Sequence, residues 1–348
     1  MNYAKIPFLL INNMYDVLNL TLMNKLLTIV IPVYKVEQYI NKCLDSLILS
    51  EDLMEKLEVI IVNDGTPDNS AELSREYTMR YPQTFRQIDK ENGGHGSAWN
   101  VGVKEASGKY LRFLDSDDWL TNLDLLLQTL EITDVDVVLT HLNNYNELEQ
   151  TNTEWNITDG PFEEVGNFSS FTFDDFRNKT NTLNFLFATY KTAILKGHQN
   201  LFMEKTMYDD SILYALPILF ADTYLCLDIV LYNYLSGREG QSMNVTIKKR
   251  NIPKLLNTYL YEMEFITKNE HLTDNKESLY RIMASDSIYM LNMLVYLPYK
   301  EFKHIVRRCS RHFHLESKKW QESKQAKRFK SLPLLGFYLL EKIRQIRE

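Results

Sequence analysis

The chain has 348 residues, 45% of them hydrophobic and 24% charged, enough for a sizeable core and more than one compact unit of about 100 to 200 residues usually holds. Its net charge of −7 hides a basic end: Lys303 to Glu348 carries 13 Lys/Arg against 4 Glu, leaving −16 on the remainder, which disfavours nucleic acid as the main partner. Three widely spaced cysteines, Cys43, Cys226 and Cys309, lack a metal-ligand rhythm, and the apolar stretch from Ile6 to Leu22 is broken by Asn12, Asn13, Asp16 and Asn19, which excludes a spanning helix there and points to a cytoplasmic protein.

In chain order, residues 1–22 read as an N-terminal extension. Leu27 to Val33 and Leu57 to Val62 are short β-branched runs of the kind buried on both faces of a parallel sheet. Between them, Tyr39, Ile40, Cys43, Leu44, Leu47 and Ile48 recur at helical spacing, with Glu37 in the first turn. A second helix follows Asp68-Asn69-Ser70 and runs to about Tyr81; Phe85 to Ile88 is a third strand, Ser97 to Glu105 a third helix and Tyr110 to Leu114 a fourth strand. This alternation predicts a doubly wound, mostly parallel α/β sheet flanked by helices, with ligands beyond the carboxyl ends of its strands. Val135 to Thr140 is a further strand, residues 143–181 show little periodicity, and beyond Asn244 the pattern becomes amphipathic helices near 250–268, 275–297, 300–314 and 332–347. The organisation expected is a catalytic domain over 23–243, with a ligand half at about 23–140 and an acceptor half at about 141–243, then a C-terminal α-helical domain over 244–348.

Two strand ends carry carboxylates. In Asp115-Ser116-Asp117 alternate residues share a face, so Asp115 and Asp117 suit a hard divalent cation, Mn2+ or Mg2+, that wants oxygen ligands and leaves room for phosphates. Asp118 reads equally as the acid of a capping turn. After the second strand, Asp64 precedes Gly65, where either a nucleotide contact or a turn role fits. Asn92-Gly93-Gly94-His95-Gly96-Ser97 opens a helix with backbone N–H groups available to phosphate or sugar oxygens, and His95 there suits either a ligand contact or a structural hydrogen bond.

Together, Thr-Ile-Val-Ile-Pro-Val-Tyr (28–34), Val-Ile-Ile-Val-Asn-Asp-Gly-Thr-Pro-Asp-Asn-Ser (59–70), Glu-Asn-Gly-Gly-His-Gly-Ser-Ala-Trp-Asn-Val-Gly (91–102) and Gly-Lys-Tyr-Leu-Arg-Phe-Leu-Asp-Ser-Asp-Asp-Trp (108–119) resemble the family 2 glycosyltransferases from about Leu27 to Met243. The resemblance implies a GT-A fold and inverting transfer of a hexosyl or N-acetylhexosaminyl group from a nucleotide-sugar, UDP-linked by default, to a glycan, lipid-linked or protein-linked acceptor. It places Pro32, Tyr34 and Asp64 at the nucleotide base, Asp115 near the ribose and diphosphate, and Asp117 as principal metal ligand. Gly94 and His95 would face the donor. The later acidic motif looks like Tyr208-Asp209-Asp210, with Asp210 as general base and Asp209 as the alternative or a helix cap. Residues Tyr232 to Ser242 resemble the segment closing the catalytic domain, a loop that would offer Arg238 and Gln241 to the diphosphate. Two departures are Asn63 in place of the family's first Asp in Asp-Asp-Gly, and Trp99 where an arginine is common.

Competing readings are a sugar nucleotidyltransferase, for which Val33 to Glu37 lacks the glycine-rich basic loop, and a catalytically silent nucleotide-sugar-binding partner of another transferase. In the tail, Lys318, Lys319, Lys324, Lys327, Arg328 and Lys330 precede an apolar set from Leu332 to Ile346. That pattern fits peripheral contact with the inner face of the membrane or packing against the helical domain or a second subunit.

Overall fold

The structure, a computed structural model, describes residues 25–155, 169–172, 185–198, 200–206, 208–237, 245–274, 276–309 and 333–347. The N-terminal extension, Arg238, Gln241 and the basic run from Lys318 to Lys330 lie outside the described residues.

Strands β1 (Leu27–Val33) and β2 (Leu57–Asn63) are buried at every position, which is why they read as continuous apolar runs rather than alternating ones. They pair in parallel, and β3 (Phe85–Asp89) and β4 (Tyr110–Phe113) extend the sheet in parallel on either side. The crossovers are helical: α1 (Ile40–Asp45) and α2 (Glu51–Lys56), then α3 (Ser70–Arg80), then α4 (His95–Glu105). The single helix expected across Tyr39 to Ile48 is thus shorter, and a separate helix carries the chain to β2. Ser46 ends α1 by turning its hydroxyl onto the Cys43 carbonyl at 2.6 Å, where it also accepts from Leu120 N.

Beyond β4 the sheet continues through β5 (Trp119–Leu120), β6 (Val137–Asn146), β7 (Thr151–Trp155), β8 (Ser169–Thr172), β9 (Ala188–Lys191) and β10 (Thr223–Ser236). The strand order is β3-β2-β1-β4-β9-β6-β10-β5, with β7 on β6 and β8 on β10. β10 pairs with β6 in parallel, whereas β9 lies antiparallel between β4 and β6. The sequence reading contained neither β9 nor β10, nor helix α5 (Leu123–Ile132) between β5 and β6. It assigned Tyr232 to Ser236 to a loop; they form the end of β10, paired with β5 and β6.

A short helix α6 (Thr192–Lys196) precedes the second acidic motif, a 3-10 turn over Asp209–Ser211 that runs into α7 (Ile212–Phe220). Beyond β10 the described residues are mainly helical: α8 (Val245–Arg250), α9 (Ile252–Asn269), α10 (Lys276–Leu294), α11 (Tyr299–Arg308) and α12 (Leu334–Arg347). Leu255, Tyr259, Met263, Met283, Leu291 and Phe302 from these helices belong to the same contiguous core as β1 and β2. In α12, Phe337 and Tyr338 are buried near the Phe302 ring while Leu335, Leu339 and Leu340 are exposed. No described helix is long and apolar enough to cross a membrane.

Parallel register aligns the carboxyl ends of the strands: Val33 pairs with Asn63, and β4 reaches β1 as far as Val30, where Leu114 N donates to the Val30 carbonyl. Pro32 lies beyond that last contact with β4, where its missing N–H leaves no gap in the ladder. Tyr34, Asp64 and Asp115 therefore emerge side by side at one edge.

Candidate active site

At the end of β2, Asp64 is buried and its carboxylate accepts from Lys90 Nζ at 2.6 Å and from the Gly93 and Gly94 backbone N–H groups at 2.8 Å each. Its main-chain carbonyl accepts from Asn92 Nδ2. Asp64 thus pins the glycine turn that opens α4. Beside it, Asn63 accepts from Thr66 N and donates to Asp89 at 2.8 Å; an aspartate in its place would oppose the Asp89 charge, which accounts for the departure from Asp-Asp-Gly. Pro32 is buried in β1, whereas Tyr34 is 44% exposed at the edge.

Two glycines of the turn are required by geometry. Gly94 has φ +88°, in the region that favours glycine. A Cβ on Gly96 would lie 2.4 Å from the Met203 carbonyl and 2.6 Å from Asp209 Oδ2, so only glycine lets the loop before α7 close onto α4. Asn100 clamps that loop from both directions, donating to the Phe202 carbonyl at 2.8 Å and accepting from Phe202 N at 3.0 Å. Tyr208 sits at φ 63°, costly for a bulky residue and characteristic of functional sites; the strained turn sets Asp209 and Asp210 at the head of α7.

The close approach brings His95 between two carboxylates from distant parts of the chain. Its Nδ1 lies 3.2 Å from Asp209 Oδ2 and its Nε2 3.2 Å from Asp115 Oδ1. Burial lowers the imidazole pKa, but the Asp209 charge and the hydrogen bonds to both carboxylates outweigh it and hold the pKa well above the usual histidine range. Trp99 forms the floor: it is fully buried, stacks on Phe113 at 4.3 Å, meets Phe202 edge-on at 5.0 Å and lies 4.1 Å from the His95 ring. A side chain so placed cannot touch a donor, so nothing transfers here from the arginine common at this position.

After β4, burial alternates: Ser116 and Asp118 point inward while Asp115 and Asp117 are partly exposed. Asp118 is anchored by Leu235 N at 2.7 Å and by the Tyr232 hydroxyl at 2.6 Å, and the same hydroxyl accepts from Asp115 N. Tyr232 and Leu235 of β10 therefore position the acidic turn, a role that assigning this segment to a loop obscured. Burial, then the charges of Asp117 and Asp115, push the Asp118 carboxyl well above its usual range, a sign of concentrated negative charge. That charge and the all-oxygen donors fit a divalent cation: two half-exposed carboxylates supply part of an octahedron and leave the rest to phosphates and water. Among the described residues no group of three or more His, Cys, Asp or Glu forms a ready-made metal cage.

Asp209 is buried against His95, whereas Asp210 is partly exposed and lines a cavity of about 250 Å³ between the head of α7 and helices α8 to α10. Burial, then the charge of Asp209, push the Asp210 carboxyl up to about 7, with His95 acting against them and Asp115 adding to the rise. It is therefore in electrostatic reach of Asp209 and Asp115 while opening on that cavity.

Comparison with known proteins places this arrangement among its relatives. The family model described as Glycosyl transferase family 2 matches residues 28–199. The chain is 39% identical over 115 residues to "Uncharacterized glycosyltransferase EpsJ" of Bacillus subtilis, a stretch covering 32% of this chain and 33% of that protein. It is 40% identical over 91 residues to the "Minor teichoic acid biosynthesis protein GgaB" of the same organism, covering 26% and 10%. The matched stretches thus span a third or less of these two relatives. Among solved structures, residues 1–349 of S. aureus TarS in complex with UDP-GlcNAc superpose with a TM-score of 0.55 at 18% identity, covering 93% of this chain and 92% of that one, a likeness of fold.

Proposed function

The chain belongs to glycosyltransferase family 2, and from that premise we propose that it transfers a hexosyl or N-acetylhexosaminyl group with inversion from a UDP-sugar to a hydroxyl acceptor in cell-wall or surface-polysaccharide synthesis. The UDP-GlcNAc bound to TarS, of like fold, and the teichoic acid role in the name of GgaB support the donor and the setting. Residues 23–243 carry the reaction and the helices from 244 onward wall the acceptor side.

The observation that carries the proposal is the chain of side chains Asp115–His95–Asp209, which joins the carboxyl edge of the sheet to the head of α7 and sets Asp210 next in line. On the donor side, Asp64 fixes the glycine turn, Tyr34 is open to a nucleotide base, and His95, oriented by its two carboxylates, stands near the diphosphate. Mn2+ or Mg2+ held by Asp117 and Asp115 would offset the negative charge that develops on the departing nucleoside diphosphate. Asp210 takes the proton of the acceptor hydroxyl as that oxygen bonds the anomeric carbon and the bond from that carbon to the diphosphate oxygen breaks. A carboxyl pushed up to about 7 is a stronger base than an ordinary aspartate yet still ionised in good part at neutral pH. Asp209, buried against His95, orients that ring. Arg238 and Gln241 remain candidates for the diphosphate on the strength of the family resemblance.

Asp210→Asn tests this reading. Transfer should fall by about 10² to 10⁴-fold with UDP affinity in the presence of Mn2+ changed little, because a general base acts in the transition state rather than in donor binding. Full activity in Asp210→Asn together with a dead Asp209→Asn would move the base by one residue.

A further inference from the structure

The cavity that Asp210 lines is built from parts of the chain far apart in sequence, and its chemistry is unusual for a gap between packed helices. Tyr208 and Asp210 come from the strained turn before α7, Lys248 from α8, Glu262 from α9, and Asp286 and Tyr289 from α10. A volume of about 250 Å³ lies just below the roughly 300 to 1,000 Å³ of drug-sized sites; it admits one sugar unit rather than an oligosaccharide.

Glu262 is 2% exposed, and its Oε1 has no hydrogen bond of normal geometry among the described residues, the Ser211 hydroxyl, likewise unsatisfied, lying close enough to the carboxyl to act on it. A buried acceptor in that condition is costly unless a ligand or water completes it. Glu262 faces this cavity, so the completing group belongs there. Burial and the Asp286 charge push the Glu262 carboxyl well above its usual range. Lys248 lies 6.0 Å from the Tyr208 ring centre and 5.5 Å from that of Tyr289. Aromatic faces beside a balanced set of donors and acceptors suit the mixed apolar and hydroxyl surface of a pyranose. A phosphate or carboxylate would instead add negative charge beside the Asp210 and Asp286 carboxyls, with Lys248 the one cation among the described residues that line the cavity.

We propose that this cavity is the acceptor subsite and that it selects a neutral, hydroxyl-rich sugar unit over a phosphate- or carboxylate-bearing one. The inference rests on the assignment of Asp210 as base and adds the class of acceptor. Tyr289, 38% exposed at the rim, stacks on the sugar, and Glu262 bonds one of its hydroxyls.

Ligand-observed NMR on the full chain tests it, with methyl β-D-glucopyranoside and methyl N-acetyl-β-D-glucosaminide as neutral probes and glycerol 3-phosphate as the anionic one, in the presence of UDP and Mn2+. The expected result is saturation transfer to at least one neutral probe, none to glycerol 3-phosphate, and a loss of affinity of about tenfold in Glu262→Leu, the size of one good hydrogen bond. Tyr289→Ala, a change at the rim that spares the core, should lower affinity similarly and keeps the test open should Glu262→Leu fail to fold. Preferential binding of glycerol 3-phosphate, or neutral-probe binding that neither substitution alters, would overturn the proposal. Metal-dependent hydrolysis of a UDP-sugar panel by the wild-type chain, measured in parallel, reports on the donor side independently: its absence counts against the glycosyltransfer reading, and its presence with failed probe binding counts against the acceptor subsite alone.

Discussion

Asp64 and Asp210 are both aspartates of the candidate site, and the protein treats them in opposite ways. Asp64 is held by Lys90 and two backbone N–H groups through its carboxylate, so its charge is neutralised where it stands and serves as architecture. Asp210 is enclosed among carboxyls, Tyr208, Tyr214 and Tyr289, and its pKa rises to about 7. The sheet-edge half of the site is thus a scaffold saturated with hydrogen bonds, whereas the half at the head of α7 retains negative charge without full compensation. A fold in which one half is rigid and the other is poised to take up a proton divides binding from proton transfer, and substitutions should separate the two.

The largest effect is expected where the halves join. Trp99 contacts His95, Phe113 of β4 and Phe202 of the acceptor loop, and Trp99→Ala should cost about 3–5 kcal/mol of stability in chemical denaturation and abolish transfer with it. Loss of activity without loss of stability would show that the ring acts on chemistry rather than on the joint. Next, Asp117→Ala should lower turnover by about a thousandfold, roughly 4 kcal/mol, and weaken Mn2+-dependent UDP binding in calorimetry, with thermal stability unchanged because a half-exposed negative charge is being removed from a crowded acidic turn. Unaltered metal dependence would take the cation away from this turn. Smaller still is the effect at Asp118. Asp118→Ala leaves Leu235 N and the Tyr232 hydroxyl without their acceptor and should cost about 1–3 kcal/mol, whereas Asp118→Asn, which keeps an oxygen for Leu235 N, should cost under about 1 kcal/mol; equal losses in the two variants would mean that the negative charge itself is needed.

The same contrast explains what could be read from the sequence. β1 to β4 and α3 and α4 have periods and breakers unmixed with other demands, and their order yields the position of the site without further help. β10 was illegible because its pairing with β6 slips between Cys226 and Val230 and again between Val230 and Tyr232, which breaks the alternation that marks a strand. β9 has four residues and sits antiparallel in a parallel setting. Helix α5 reads Leu-Asp-Leu-Leu-Leu-Gln-Thr-Leu-Glu-Ile, so apolar that its face is hard to distinguish from a buried strand. At the site, Asp64, Asp115, Asp117 and Asp210 stand out by residue type and context. The use of Asp64 in the glycine turn, the bridge made by His95 and the shared cavity of Glu262 and Asp286 depend on long-range packing, for which no local pattern exists.

The pH dependence of transfer tests the central claim, that proton uptake falls to Asp210, most directly. The groups facing Asp210 are Asp209, Ser211, Tyr208 and Tyr214 on its own segment, His95 and Asp115 from the donor side, and Lys248, Glu262, Asp286 and Tyr289 from the helices. A carboxyl whose pKa is raised is protonated and inactive as a base below that value, so single-turnover transfer at saturating UDP-sugar and Mn2+ should rise with unit slope up to pH about 7 and level above it. The linkage has the opposite sign for stability: with the folded carboxyl pushed from 3.8 up to about 7, the wild type loses stability as pH rises from about 4 to about 7 and levels above that, so Asp210→Asn should gain stability relative to it over that window. A rising limb near pH 7 that persists unchanged in the residual activity of Asp210→Asn would contradict the assignment, whereas its disappearance there and its retention in Asp209→Asn is the result expected.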